Sequence, residues 1–345
     1  RWLRQPSYTG ALATCSGFAL CLGDIVAMLV IVVPVTLAFL ADGRVIYSSP
    51  TIGIRSLRLA LRDGLAAAVD HQAIHPPDGT HLRGVDAGGR HWIVANGEQT
   101  RIELWPGGER ARARQIGPAL AARQYARLSA DGGLAAIRVS RQSELGLYAL
   151  PGAELRATLP VQPPAWPTFS PDGRWLGFAA EGKLKKVQLA GGQPVTLCDA
   201  PEPRGASWGD DDTIVFAPAV RGGLFRVPAG GGTPTPVTTV DGTRGEEGHR
   251  WPLVLPGSRG VVFNVETAGG SAGSRSLDLL DVVTATRTRL VTAGSYARYV
   301  DGALLYGQAG SLYALPFDSA RLQVTGSARP VVDDVRMDLV NTGRV

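Results

Sequence analysis

Five stretches of this chain contain residue types that could do chemistry. Gly177 to Lys183 reads G-x-x-x-x-G-K, the glycines and lysine of a loop that cradles phosphate groups. Gly269-Gly-Ser271-Ala-Gly273 fits G-x-S-x-G, the elbow that exposes a nucleophilic serine. His71, His75 and His81 fall within HQAIHPPDGTH, close enough to share a metal ion. The acidic groups Asp210-Asp211-Asp212 and Glu246-Glu247 raise the question of Ca²⁺, which takes oxygen ligands from carboxylates.

Each pattern lacks a part that its chemistry needs. In the first, Leu184 follows Lys183 where a phosphate loop carries Ser or Thr for Mg²⁺, and the flanking residues read as two strands, not as a loop opening a helix. In the second, AGGSAGSRS is a run of small residues between two apolar strands, the composition of a hairpin tip, and His249 is the sole histidine beyond residue 91. Pro76-Pro77 interrupts the histidine stretch, which therefore reads as an exposed connection. No D-x-D-x-D-G loop surrounds the acidic residues, so Asp210 to Asp212 and Glu246-Glu247 are expected to be solvated turn carboxylates. Trp166, Trp175, Trp208 and Trp251 are expected to pack inside the fold. The expectation is therefore a chain with no catalytic residue, no cofactor-binding residue and no metal ligand.

Composition agrees with strands and turns. Over 345 residues the chain has 44 glycines and 24 prolines, which interrupt helices and serve turns, and its 44% apolar content is enough for a sizeable core. Thirty-five basic residues against 30 acidic ones give a net charge of +5, dispersed along the chain and without a recognition motif, so nucleic acid is not an expected partner. Cys15, Cys21 and Cys198 form neither a paired framework nor a metal spacing. The first residue is Arg, and a piece of a longer product is expected.

Residues Ile25 to Ala41, IVAMLVIVVPVTLAFLA, carry no charge and fall at the short end of what spans a bilayer as a helix. Extension back to Ser16 brings in Asp24, tolerable only near the interface. With Arg1 and Arg4 in front, a single pass over residues 16–41 would leave the amino terminus in the cytoplasm and the remainder outside. The competing reading takes Val35 to Leu40 as a buried strand leading into the Asp42-Gly43 turn, in a soluble periplasmic or cytoplasmic protein.

The strongest signal is repetition. A short apolar strand recurs after a glycine turn: VIYSS at Val45, WIVANG at Trp92, AAIRVS at Ala135, LGFAA at Leu176, IVFAP at Ile214, VVFNV at Val261 and LLYGQ at Leu304. A second strand follows each, its first apolar residue being Leu57, Ile102, Leu147, Leu184, Leu224, Leu277 and Leu312. These lie about 42 residues apart on average, the period of four-stranded propeller blades. A third strand closes most units, and the lead-in to each turn supplies the fourth. The fold expected is all-β, a β-propeller of about seven four-stranded antiparallel blades. Its units lie near 41–74, 75–119, 120–160, 161–200, 201–241, 242–294 and 295–345, behind an amino-terminal segment over 1–40. The last residues, TGRV, echo DGRV at Asp42, so the propeller is expected either to be cut there or to use Arg336 to Val340 as a missing strand of the first blade.

Phe169-Ser-Pro-Asp-Gly-Arg with its following strand, then G-x-L-x-x-V-x-x-x-G-G-x-P-x-x-L through Leu197, resembles the WD-like repeat of TolB-type β-propellers. LFRVPAGGGTPTPV from Leu224 repeats the ending, and the likeness covers roughly Leu40 to Asp334. The layout also resembles the carboxy-terminal propeller tails of bacterial membrane-bound serine/threonine kinases, although the chain has no G-x-G-x-x-G-x-V, H-R-D or D-F-G. The resemblance implies a monomeric scaffold or sensor that recognises a protein or small molecule at a propeller face or central channel. The alternative it implies is the regulatory propeller of a larger enzyme, a receptor kinase or a serine peptidase.

Overall fold

The computed structural model describes residues 36–39, 44–49, 53–62, 65–75, 80–85, 91–96, 101–106, 114–116, 126–129, 133–139, 144–161, 167–268, 275–300, 302–309 and 311–332. They form seven antiparallel sheets in chain order. The first is β1 (Thr36–Phe39), β2 (Arg44–Ser49), β3 (Gly53–Arg62) and β4 (Leu65–His75). The second is β5 (Thr80–Val85), β6 (His91–Asn96), β7 (Arg101–Pro106) and β8 (Arg114–Ile116). The third is β9 (Ala126–Leu128), β10 (Leu134–Val139), β11 (Glu144–Ala149) and β12 (Glu154–Pro160). The fourth is β13 (Thr168–Phe169), β14 (Trp175–Ala180), β15 (Lys183–Gln188) and β16 (Val195–Asp199). The fifth is β17 (Ala206–Trp208), β18 (Thr213–Phe216), β19 (Phe225–Pro228) and β20 (Thr235–Pro236). The sixth is β21 (Glu246–Val254), β22 (Gly260–Thr267), β23 (Ser276–Asp281) and β24 (Thr286–Val291). The seventh is β25 (Ser295–Val300), β26 (Ala303–Gln308), β27 (Ser311–Asp318) and β28 (Gln323–Val324), with β29 (Arg329–Val332) also on β27.

Each sheet is a simple meander, and successive sheets pack face to face around an axis. First strands lie beside one another from β1 to β5 to β9, and again from β13 to β17 to β21 to β25. At the other end of the chain β27 and β29 lie against β4, so the seventh sheet meets the first and the ring closes.

The apolar alternation explains this packing. Ile214 and Phe216 of β18 join Leu184, Leu197 and Cys198 of the fourth sheet, while Val215 and Ala217 point the other way, toward Val261, Phe263 and Val265 of β22. Val262, the residue between them, faces Leu304 and Phe317 of the seventh sheet. Second strands read as nearly unbroken apolar runs because both of their faces are covered.

The first sheet changes one expectation. Thr36–Phe39 pair with Val45 to Ser48 as a strand, so these residues cannot end a membrane helix over Ile25 to Ala41. Residues before Thr36 lie outside those described, and among the described residues no helix is long and apolar enough to cross a membrane. The first sheet has four strands within residues 36–75, and Arg336 to Val340 lie outside the described residues.

Candidate functional site

The antiparallel order gives the ring two different faces. One bears the turns between the first and second strands of each blade, and there aspartates are locked into local bonds. In the fourth blade Gly173 takes φ 68, a left-handed conformation that suits glycine, and Asp172 Oδ1 accepts from Ser170 Oγ at 2.5 Å and from Arg174 N at 2.9 Å. The Ser170 hydroxyl, followed by the Arg174 bonds, holds the Asp172 carboxyl down to about 2. In the fifth blade Asp210 Oδ2 accepts from Gly257 N at 2.8 Å, Asp211 Oδ1 from Thr213 N at 3.2 Å and Asp212 Oδ1 from Trp208 Nε1 at 3.0 Å. The three aspartates sit in a turn as expected, yet each has a structural partner, one of them in the next blade.

The other face carries the β18 to β19 and β20 to β21 connections, and there the seam between the fifth and sixth blades is polar. Gly222, in the β18 to β19 connection, makes a parallel bridge with Gly248 of β21, with Gly222 N to Glu247 O and His249 N to Gly222 O both at 2.9 Å. Behind this bridge lies a chain of side chains. Leu224 N donates to Thr238 Oγ1 at 2.8 Å, and that hydroxyl lies 2.7 Å from His249 Nδ1. His249 Nε2 lies 3.1 Å from Glu246 Oε2, so the network assigns the proton to Nε2. Arg287 Nη1 and Nη2 then clasp both Glu246 oxygens at 2.9 and 2.6 Å, and Arg287 Nε reaches Asp278 Oδ2 at 2.7 Å. Arg289 Nε completes the group on Asp278 Oδ1 at 2.6 Å.

Two carboxylates facing two guanidiniums balance, and the imidazole need not be charged. Burial pulls His249 below its ordinary range, and Arg287 adds to this against the pull of Glu246. Burial alone would raise Glu246, but Arg287, the Asp241 N–H and His249 together hold it down to about 2. The expectation of a solvated Glu246 is thereby corrected: its side chain is 1% exposed, because the residue enters a strand packed on the neighbouring blade and is not part of a turn.

Thr238, His249 and Glu246 have the composition of a nucleophile, base and carboxylate. Their placement serves the fold: the hydroxyl is buried in the seam, and its oxygen already accepts the Leu224 N–H. On the far side of the sixth blade Asn264, fully buried, does the equivalent task. Its Nδ2 donates to Gly294 O at 3.2 Å, and its Oδ1 accepts from Tyr296 N at 3.1 Å, which ties blade six to blade seven.

The other sequence candidates separate in space. Gly177 lies in β14 and Lys183 opens β15, and Lys183 pairs with Asp199 as Lys185 does with Glu181. No helix follows, so the phosphate-loop spacing is a hairpin. His71 and His75 belong to β4 and His81 to β5, not to a connection. Residues 269–273, which hold the G-x-S-x-G pattern, lie outside the described residues, as do Cys15, Cys21 and Trp166. Trp208 and Trp175 pack on the core between the fourth and fifth blades, and Trp251 lies against Gly205. Cys198 is buried, and burial followed by Asp199 pushes its thiol up to about 11. Among the described residues no group of three metal-ligating side chains is gathered.

No protein family profile matches the chain, and no curated protein matches it. Solved structures do. The tricorn protease superposes with a TM-score of 0.58 at 12% identity, over 88% of this chain and 35% of that one. This chain is a β-propeller. Hsv2 of Kluyveromyces lactis has the same TM-score at 11% identity, covering 86% of this chain and 99% of its own. TolB from Acinetobacter baumannii also matches, with a TM-score of 0.47 at 13% identity over 88% of this chain and 81% of that one. Among these structures the propeller occurs both alone and as about a third of a protease.

Proposed function

We propose that this propeller is a non-catalytic recognition module that presents the face bearing the β18 to β19 and β22 to β23 connections to a protein or small ligand. One observation carries the reading. The side chains able to do acid, base or nucleophilic work at the seam are consumed in fastening blades, while the two faces of the ring are chemically unlike. Aspartates tied into tight turns occupy one face. The other face carries the β18 to β19 and β20 to β21 connections beside the polar seam, on a rigid base.

A photoreactive residue placed at Arg221 on the loop-bearing face, or at Val283 on the turn face, tests the proposal in intact cells; both positions are 76% exposed. A discrete adduct from Arg221 with none from Val283 is expected. Equal adducts from both positions, or none from Arg221, would overturn it. The second reading, a regulatory propeller within a larger enzyme, draws on the tricorn protease, where a propeller of this kind is part of a longer chain. A hydrolase or kinase domain continuous with this reading frame would establish it.

A further inference from the structure

The connection between β18 and β19, residues 217–224, is fastened to β21 through its backbone. Gly222 N donates to Glu247 O, and Gly222 O accepts from His249 N, both at 2.9 Å. The fit is close: a Cβ on Gly248 would lie 2.6 Å from the Val220 carbonyl oxygen, and one on Gly223 would run into the Thr238 carbonyl. Arg250 Nε adds a bond to Val220 O at 3.1 Å, and Arg221 pairs with Glu247 at 3.5 Å. At the inner end Leu224 is fully buried, its carbonyl accepting from Val237 N and Thr238 N at 2.7 and 3.2 Å. Its own N–H donates to Thr238 Oγ1 at 2.8 Å, the same hydroxyl that serves His249 Nδ1.

The two nitrogens of that ring have unlike surroundings. On the Nε2 side stand Glu246 of the same strand, Asp278 of β23, and Arg287 and Arg289 of β24, and Glu246 also accepts from Asp241 N at 2.9 Å. β22 presents Phe263, uncharged, with the ring centroids 4.9 Å apart. On the Nδ1 side lie the Thr238 hydroxyl and, through it, the Leu224 N–H, both neutral. A second proton on the ring goes to Nδ1. Arg287 opposes the new charge, Glu246 and Asp278 offset it, and the Nε2 bond to Glu246 becomes charge-assisted at both ends. Thr238 Oγ1, until then a donor to the ring, must instead receive N–H groups from both the ring and Leu224. Its own hydrogen is turned away inside a buried seam, and a hydrogen bond left unmade there is costly. Protonation thus strains the attachment of the β18 to β19 connection and spares that of β24.

We propose that His249 is an acid-operated latch, whose protonation at Nδ1 releases residues 217–224 from β21 while Glu246, Arg287 and Asp278 keep blades five and six joined. Burial holds the ring below its ordinary 6.5 in the closed seam, so the proton refused there is taken once the connection lifts and the hydroxyl meets water. Glu246, held down to about 2, stays ionised through this range and keeps its arginine. The latch goes beyond recognition, although the connection lies on the face proposed for it: acid remodels that face and not the opposite one.

Hydrogen exchange on the intact chain, corrected for the intrinsic pH dependence of amide exchange, tests the latch without any partner. From pH 7 to one unit below 6.5, protection over residues 217–224 and at His249 should fall by about tenfold, the change that one group titrating at 6.5 in the open form allows. Strands β14 and β15 should keep their protection. His249→Gln should hold protection over residues 217–224 constant across the same range. Thr238→Val leaves the Leu224 N–H without its hydroxyl and should expose Leu224 already at pH 7. Unchanged protection in the unaltered chain, an equal fall in β14 and β15, or an acid response that survives in His249→Gln overturns the latch. So does a Leu224 amide as well protected in Thr238→Val as in the unaltered chain.

Discussion

The imidazole of His249 is fully buried, with Thr238 Oγ1 2.7 Å from Nδ1 and Glu246 Oε2 3.1 Å from Nε2. Both ring nitrogens are occupied, one as acceptor and one as donor, and a second proton would have to displace the Thr238 hydroxyl hydrogen. The ring is therefore a neutral bolt between two blades.

Acid should loosen this bolt in two stages. His249 is lowered from its ordinary 6.5, so below that pH the unfolded chain binds a proton that the folded chain refuses. The neutral ring's contribution is complete above 6.5 and lost as pH falls through the lower folded value. Glu246, held at about 2 against 4.5 ordinarily, adds stability above 4.5 that is lost between 4.5 and 2. Urea midpoints should thus fall from pH 7 to 5 and again below 4.5. His249→Gln should flatten the first decline, and a midpoint constant from pH 7 to 5 in the unaltered chain would contradict the seam.

Removing one partner of the ionic group should cost more than removing a surface charge. Arg287→Met leaves Glu246 and Asp278 buried with one guanidinium between them, for an expected loss of about 3–5 kcal/mol by urea unfolding. Lys183→Ala breaks an exposed pair with Asp199, worth about 0–1 kcal/mol, and should leave the chain equally indifferent to ATP.

Glycine positions separate strain from space. Gly173 has φ 68 with nothing near a prospective Cβ, so Gly173→Ala should cost about 1 kcal/mol from conformation alone. Gly205 has φ 96, and a Cβ there would lie 2.9 Å from Trp251 Cε3 and 3.0 Å from its Cα. Gly205→Ala should cost clearly more and shift the near-ultraviolet dichroism of the tryptophan, whereas Gly173→Ala should not.

Phe263 is fully buried among Val215, Leu224, Val261 and Val265, with the His249 ring 4.9 Å away. Phe263→Ala should destabilise by about 3–5 kcal/mol. Because the cavity would open beside the imidazole, the variant should also weaken the pH dependence between 7 and 5. A loss of stability with that dependence intact would separate the apolar and polar halves of the seam.

The repeat was legible because each blade must bury two faces of its second strand: LGFAA, IVFAP and VVFNV are apolar on both sides and recur at one period. The polar seam was much less so. Glu246 beside Glu247 reads as a pair in a turn, and only register shows that one enters the seam while the other meets Arg221. A trace existed in SLDLLD and TRTRLV, where Asp278 interrupts an apolar strand and Arg287 and Arg289 sit two apart on the next one. An interruption of that kind within a covered strand calls for buried partners. The chain's start was open in the sequence for a related reason: Thr36 to Phe39 suit a membrane helix and a β-strand alike, and only their pairing with Val45 to Ser48 shows the strand.

The Gly222 to Gly248 bridge joins two sheets that the meander would otherwise leave separate. Blades five and six consequently share backbone amides, and a local opening of one has to break hydrogen bonds belonging to the other. In hydrogen exchange the amides of Gly222 and His249 should become labelled together, at a rate set by the pair and not by either loop. The β18 to β19 connection can therefore open only together with the start of β21, to which its backbone is bonded.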